Sequence, residues 1–103
     1  MPDGVAHAPG AVGRVNTSDA ALEAVLQGVA KFPGTGMSLV DQSLLDISPI
    51  VRRAAVETLV RWGGPYLRDL TVRRALSTAA NDEPDEALKA RMVALLNVAD
   101  APP

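Results

Sequence analysis

The stretch from Asp46 to Gly63 constrains this chain more than any other, because its start, apolar stripe, charged face and stop all specify one helix. Ser48 stands as an N-cap whose hydroxyl accepts from a free backbone N–H, and Pro49 fits the first helical position, where no N–H is needed. Asp46 adds negative charge at the positive end of the helix dipole. Val51, Ala55 and Leu59 recur every four residues, flanked by Ile50, Ala54, Val56 and Val60, which makes an apolar face too wide for one contact surface. The spacing predicts a helix packed on two sides. Arg53, Glu57 and Arg61 line the outward face at i, i+4 intervals, a ladder contributing about 0.2–0.5 kcal/mol per pair. Gly63, Gly64 and Pro65 end the helix, glycine by its conformational freedom and proline by refusing to continue.

Four further helices are expected around this one. The first runs from about Asp19 to Lys31, capped by Thr17, Ser18 or Asp19, with Leu22, Val25, Leu26, Val29 and Ala30 on one stripe and Glu23, Gln27 and Lys31 opposite. Phe32 to Gly36 form a turn from which Phe32 folds back onto the core. A short helix from about Met37 to Leu45 aligns Met37, Val40 and Leu44. Beyond Pro65, a helix from about Tyr66 to Ala80 spreads its apolar residues round the cylinder. Asn81, Asp82 and Glu83 supply acceptors for the last helix, which Pro84 opens and which buries Leu88, Met92, Leu95, Leu96 and Ala99. Residues 1–16 lack periodicity and read as a disordered leader, 101–103 as a tail, and 17–100 as a single domain.

Composition selects the fold class. Apolar residues make up 48% of the 103, but they are mostly Ala, Val and Leu with one Phe, one Tyr and one Trp, which favours closely packed helices over a β-sandwich. An all-α domain of about five helices follows. With no Cys there is no disulfide, thiolate metal site or cysteine nucleophile. The one histidine, His7, lies in the leader, where no partner holds it, so neither a Ser-His-Asp set nor a metal cluster is expected. Asp82, Glu83, Asp85 and Glu86 serve a helix start more simply than acid–base catalysis. The expectation is a non-enzymatic chain without cofactor or metal. No apolar run approaches the ~20 residues that span a bilayer, and no secretory signal is evident, so the cytoplasm is the default location.

The helix at Asp46–Gly63 is echoed 37 residues later: Val51 aligns with Leu88, Arg52 with Lys89, Ala55 with Met92, Val56 with Val93 and Leu59 with Leu96. Asp46 precedes Arg52 as Glu83 precedes Lys89, each with a proline near the helix start. The chain resembles, on these residues, the HEAT and HEAT-like repeats, the phycobilin-lyase type among them. The resemblance covers about residues 36–98 and implies a short α-α superhelix of stacked helix pairs, with the first helix as a half-repeat or cap. It also implies a structural ladder between repeats made by Asp46, Arg52, Glu83 and Lys89. An ordinary five-helix bundle is the alternative.

Charge along the chain runs acidic, basic, acidic, and the basic middle holds Arg52, Arg53, Arg61, Arg68, Arg73 and Arg74 against Glu57 and Asp69. With Arg52 engaged by Asp46 and Arg61 by Glu57, an arginine band of Arg53, Arg68, Arg73 and Arg74 is left for an acidic partner or phosphates. Trp62 beside Tyr66 is a candidate interface anchor. These residues point to a protein–protein interaction or scaffold module binding another protein, with self-association open to it through the last helix and no membrane partner. Nucleic-acid backbone binding is a rival that the net charge of −2 disfavours, and an accessory enzyme subunit is a second rival by fold analogy alone.

Overall fold

The computed structural model describes residues 18–100, which form six helices and, among the described residues, no strand. The leader with His7 and the tail at 101–103 lie outside the described residues. The fold is all-α, as composition predicts.

Helix α1 spans Asp19–Val29, and of its three candidate caps Ser18 acts, its Oγ accepting from the Ala21 N–H at 3.1 Å. The turn to α2 (Met37–Ser43) passes through Gly34 and Gly36, with φ of 89° and 72°. A side chain at Gly34 would also meet the Tyr66 ring at 3.1 Å, so backbone and packing both require glycine there. Phe32 does not fold back: it is 63% exposed. The end of α1 is covered instead by Trp62 from α3 (Pro49–Trp62), whose Nε1 donates to the Val29 carbonyl at 3.1 Å. The Thr58 hydroxyl lies 2.9 Å from the Ala54 carbonyl and 3.2 Å from that of Leu26, and so shares its proton between its own helix and α1. Two polar side chains of α3 thereby add a second donor to carbonyls at the C-terminal end of α1 that already accept from Ala30 and Phe32.

The expected helix from Tyr66 to Ala80 is two helices, α4 (Gly64–Leu67) and α5 (Leu70–Asp82). Asp69 divides them. Its backbone is extended, and its Oδ1 accepts from the N–H groups of Thr71 at 2.9 Å and Val72 at 3.2 Å. A short carboxylate that can cap competes with helical continuation, and here it wins. The break settles the register: α5 buries Val72, Leu76, Ala79 and Ala80 and leaves Leu70 outside. The last helix, α6 (Glu86–Asp100), starts after Pro84 rather than at it, capped by Asp85, whose Oδ1 accepts from Ala87 at 3.0 Å and Leu88 at 3.4 Å. Asp82 closes α5 instead of opening α6.

The helices lie in two rows. In one, α1 packs on α3 and α3 on α6; in the other, α2 meets α5; α2 and α5 back onto α3 and α6 respectively. The two-sided burial expected of α3 holds for Val51, Ala54, Ala55, Val56, Thr58, Leu59 and Trp62, while Ile50 and Val60 are exposed. The apolar stripe is therefore narrower than the sequence pattern, because the helices covering it leave one flank open.

The cap of α3 differs from expectation. Ser48 has the backbone of an N-cap, but its buried Oγ has no hydrogen-bond partner among the described residues; its own N–H is taken by Asp46 Oδ1 at 2.9 Å. Ser48→Ala is therefore expected to change unfolding free energy by less than about 0.5 kcal/mol, while Asp85→Ala, which removes a working cap, costs about 1 kcal/mol. Urea denaturation of the two variants checks the contrast.

Candidate functional site

Asp46 and Glu83 hold equivalent places at the starts of α3 and α6. Both are buried, and each turns its carboxylate onto the N–H two residues ahead, Asp46 to Ser48 at 2.9 Å and Glu83 to Asp85 at 3.1 Å. Arg52 joins them. Its Nε donates to Glu83 Oε1 at 2.7 Å and Nη2 to Oε2 at 3.2 Å, while Nη1 donates to the carbonyls of Asp46 at 2.8 Å and Ile47 at 3.0 Å. The bidentate partner of Arg52 is thus Glu83, ahead of α6, whereas the sequence pattern had engaged it with Asp46, ahead of its own helix. Lys89, the equivalent of Arg52, is half-buried on α6 with no ion pair or hydrogen bond to its side chain among the described residues.

The arginine band is drawn from separate elements. Arg53 lies exposed on α3; Arg68 is exposed just after α4; Arg74 is exposed on α5, which packs on α2 and α6. Arg73 is half-buried, with its Nε out of solvent. Nor is Trp62 an exposed anchor: it is 5% exposed, with its ring 5.4 Å from that of Tyr66 at a 58° tilt. Tyr66 is half-buried above Gly34, so this aromatic pair belongs to the interior.

Burial lifts the Asp41 carboxyl on α2 above the ordinary carboxylate range, and the negative charge of Asp69 adds to the effect. No hydrogen bond reaches the buried Oδ1 of Asp41 among the described residues. The shift is a stability effect, since Asp69 is already committed as the cap of α5 and cannot move away from it.

A different set of residues does converge. Between α1 and α3 runs a groove of 240 Å³ lined by Glu23, Gln27 and Ala30 from α1 and by Ile50, Arg53, Ala54, Glu57, Thr58 and Arg61 from α3. Its floor is of small residues, Ala30 and Ala54, because α1 and α3 approach closely there. Arg53 and Arg61 stand eight residues apart along α3, about 12 Å. The expected pairing of Arg61 with Glu57 is replaced: Glu57 Oε2 is bound by Arg91 of α6 at 2.7 Å. That leaves Arg53 and Arg61 as cations with no ion pair among the described residues, opposed by Glu23 across the groove. Ile50, exposed beside Arg53, adds an apolar contact point. The repeating i, i+4 charges pointed to a solvated face, and only the position of α6 shows that Glu57, which lines the groove between the two arginines, pairs with Arg91.

Among the described residues no group of three or more His, Cys, Asp or Glu side chains is placed to hold a metal, and no helix is long and apolar enough to cross a membrane. The groove offers recognition by charge and shape.

Two measurements test these electrostatics. Arg52→Ala strands the fully buried Glu83 side chain and is expected to lower stability by about 3–5 kcal/mol, against less than about 1 kcal/mol for Glu57→Ala at its half-exposed pair; chemical denaturation separates the two. For Asp41, the native state binds more protons than the unfolded chain between the ordinary carboxylate pKa and the raised one, so this group lowers stability as pH rises through that window. Asp41→Asn is expected to raise the melting temperature at pH 7, with the gain vanishing as pH falls below about 4, where the wild-type carboxyl is also neutral.

Comparison of the chain with protein-family models, with curated proteins and with solved structures finds no match in any of the three.

Proposed function

We propose that this chain is a non-enzymatic interaction module, a short stack of HEAT-like helix pairs over residues 17–100, that holds an acidic segment of another protein in the α1–α3 groove. The observation that carries the reading is the pair Arg53 and Arg61, which line the groove without an ion pair among the described residues while Glu57 pairs with Arg91. Their separation of about 12 Å matches carboxylates eight residues apart on a helix or about four apart on an extended strand. Ile50 and the alanine floor would take an apolar side chain of the same segment, the helix-in-groove mode of peptide recognition. The 37-residue correspondence of Asp46 with Glu83, each buried and each bound to the N–H two residues on, supports the stacked-pair reading. A cytoplasmic setting belongs to the same proposal. The dispersal of Arg53, Arg68 and Arg74 over separate helices favours a protein segment over a nucleic-acid backbone, which asks for a continuous cationic track.

Capture of partners from native lysate on immobilised protein tests the reading. Arg53→Glu with Arg61→Glu is expected to abolish capture, while Arg74→Glu leaves it intact. An unchanged set of captured proteins on the double variant, or loss on Arg74→Glu alone, would remove the groove from the account. Binding of duplex DNA that weakens steeply with salt would transfer the function to a polyanion.

A further inference from the structure

Most of α3 is buried, but one of its faces, carrying Ile50, Arg53, Glu57, Val60 and Arg61, is exposed. The order of residues on that face has a two-fold property. Arg53 and Glu57 stand two residues either side of Ala55, and Ile50 and Val60 stand five residues either side of it. A second α3 laid antiparallel to the first, with the two Ala55 positions level, therefore sets Arg53 opposite Glu57 and Glu57 opposite Arg53. It also brings the Ile50 end of each helix to the Val60 end of the other. The face is its own complement, which is what an isologous contact requires. Its charges are not used up within the chain. Arg53 makes no ion pair or hydrogen bond through its side chain among the described residues, and its order relative to Glu57, cation before anion at i, i+4, is the less favourable one for pairing within a helix. Glu57 gives Oε2 to Arg91, and both side chains of that pair are about half exposed, so Oε1 can accept a further guanidinium without releasing the first. Ile50 is 44% exposed and Val60 47%. One such aliphatic residue at a surface is ordinary; two placed evenly about a self-complementary charge pair are the apolar flanks of a contact.

We infer that two copies of this chain pair antiparallel through the exposed face of α3, with Arg53 of each bound to Glu57 of the other. Each contact forms twice about the axis. Exposed charge pairs fix register more than they add affinity, so the dimer is weak and depends on concentration. Arg53 also lines the α1–α3 groove, so the dimer and an occupied groove exclude each other, although the inference does not rest on the groove having a ligand.

Sedimentation equilibrium of the full chain tests the pairing. The wild type is expected to show a monomer–dimer equilibrium at concentrations up to about 1 mM. Arg53→Glu sets like charges against each other on both sides of the axis and is expected to raise the dissociation constant about ten-fold or more. Glu57→Arg, made together with Arg91→Glu so that the internal pair survives with its polarity reversed, is expected to do the same. Mixing these two variants is expected to restore association, because the acid introduced at position 53 of one faces the base introduced at position 57 of the other. Damage to folding is not repaired by mixing, so recovery reports the contact itself. Val60→Asn, at a residue that does not line the groove, is expected to weaken the dimer and leave capture of an acidic partner intact, which separates failure of the pairing from failure of the groove. A chain that stays monomeric at about 1 mM overturns the inference. So does a dimer indifferent to Arg53→Glu, or a pair of variants that stays monomeric when mixed.

Discussion

Arg52 holds the two halves of this domain together. Its five donors are divided between the carboxylate of Glu83, on the far side of the α5–α6 joint, and the carbonyls of Asp46 and Ile47, in the turn that begins its own helix. Each acceptor lies where a helix is about to start. The carbonyls and the carboxylate belong to two non-helical turns, so one guanidinium ties both turns together and fixes the spacing between α3 and α6. The Glu83 side chain is wholly out of water, which makes the bond obligatory: a buried carboxylate without its cation is far more costly than the pair is favourable. Arg fits and Lys would not, because the acceptors lie in two directions that only a planar fork reaches at once.

From that joint the outer layers follow. The α3–α6 alignment brings Arg91 to Glu57, and this long-range pair breaks the local i, i+4 ladder on α3. Arg53 and Arg61 are then left facing the groove against α1. Exposed ion pairs are worth little to stability, and the Glu57–Arg91 pair matters instead for what it releases. The candidate site is thus a by-product of how α3 and α6 align, and its charge depends on a contact with a helix that does not line it.

Much of this was legible in the residues. The helices at Asp19, Met37 and Pro49, the 37-residue echo, and the equivalence of Asp46 with Glu83 all followed from period and capping chemistry. Other features were not. Asp69 read as an ordinary helical charge, and its capping role emerged only once Val72 and Leu76 had to face the core together. Phe32 read as a core residue, but Trp62 covers the end of α1, its N–H donating to the Val29 carbonyl beside the backbone N–H of Phe32. Ser48 read as a capping side chain of α3, but its hydroxyl has no hydrogen-bond partner among the described residues, and the Asp46 carboxylate binds the N–H of Ser48 itself.

The sequence by itself determined most of the helical segments, the all-α class, and the correspondence of Asp46 with Glu83 at the starts of α3 and α6. Those properties depend on spacing along the chain, on proline and glycine at fixed offsets, and on short-range acceptors, all of which act within a few residues. Only the tertiary structure decided which charges remain available. A long side chain such as Arg52, Arg61 or Arg91 has several candidate partners within reach, and the choice among them is made by the relative placement of whole helices. The stretch from Asp46 to Gly63 was visible from the start as a helix in the middle of something. That its first arginine binds Glu83, and that its second and third line a groove, required knowing where α6 lies.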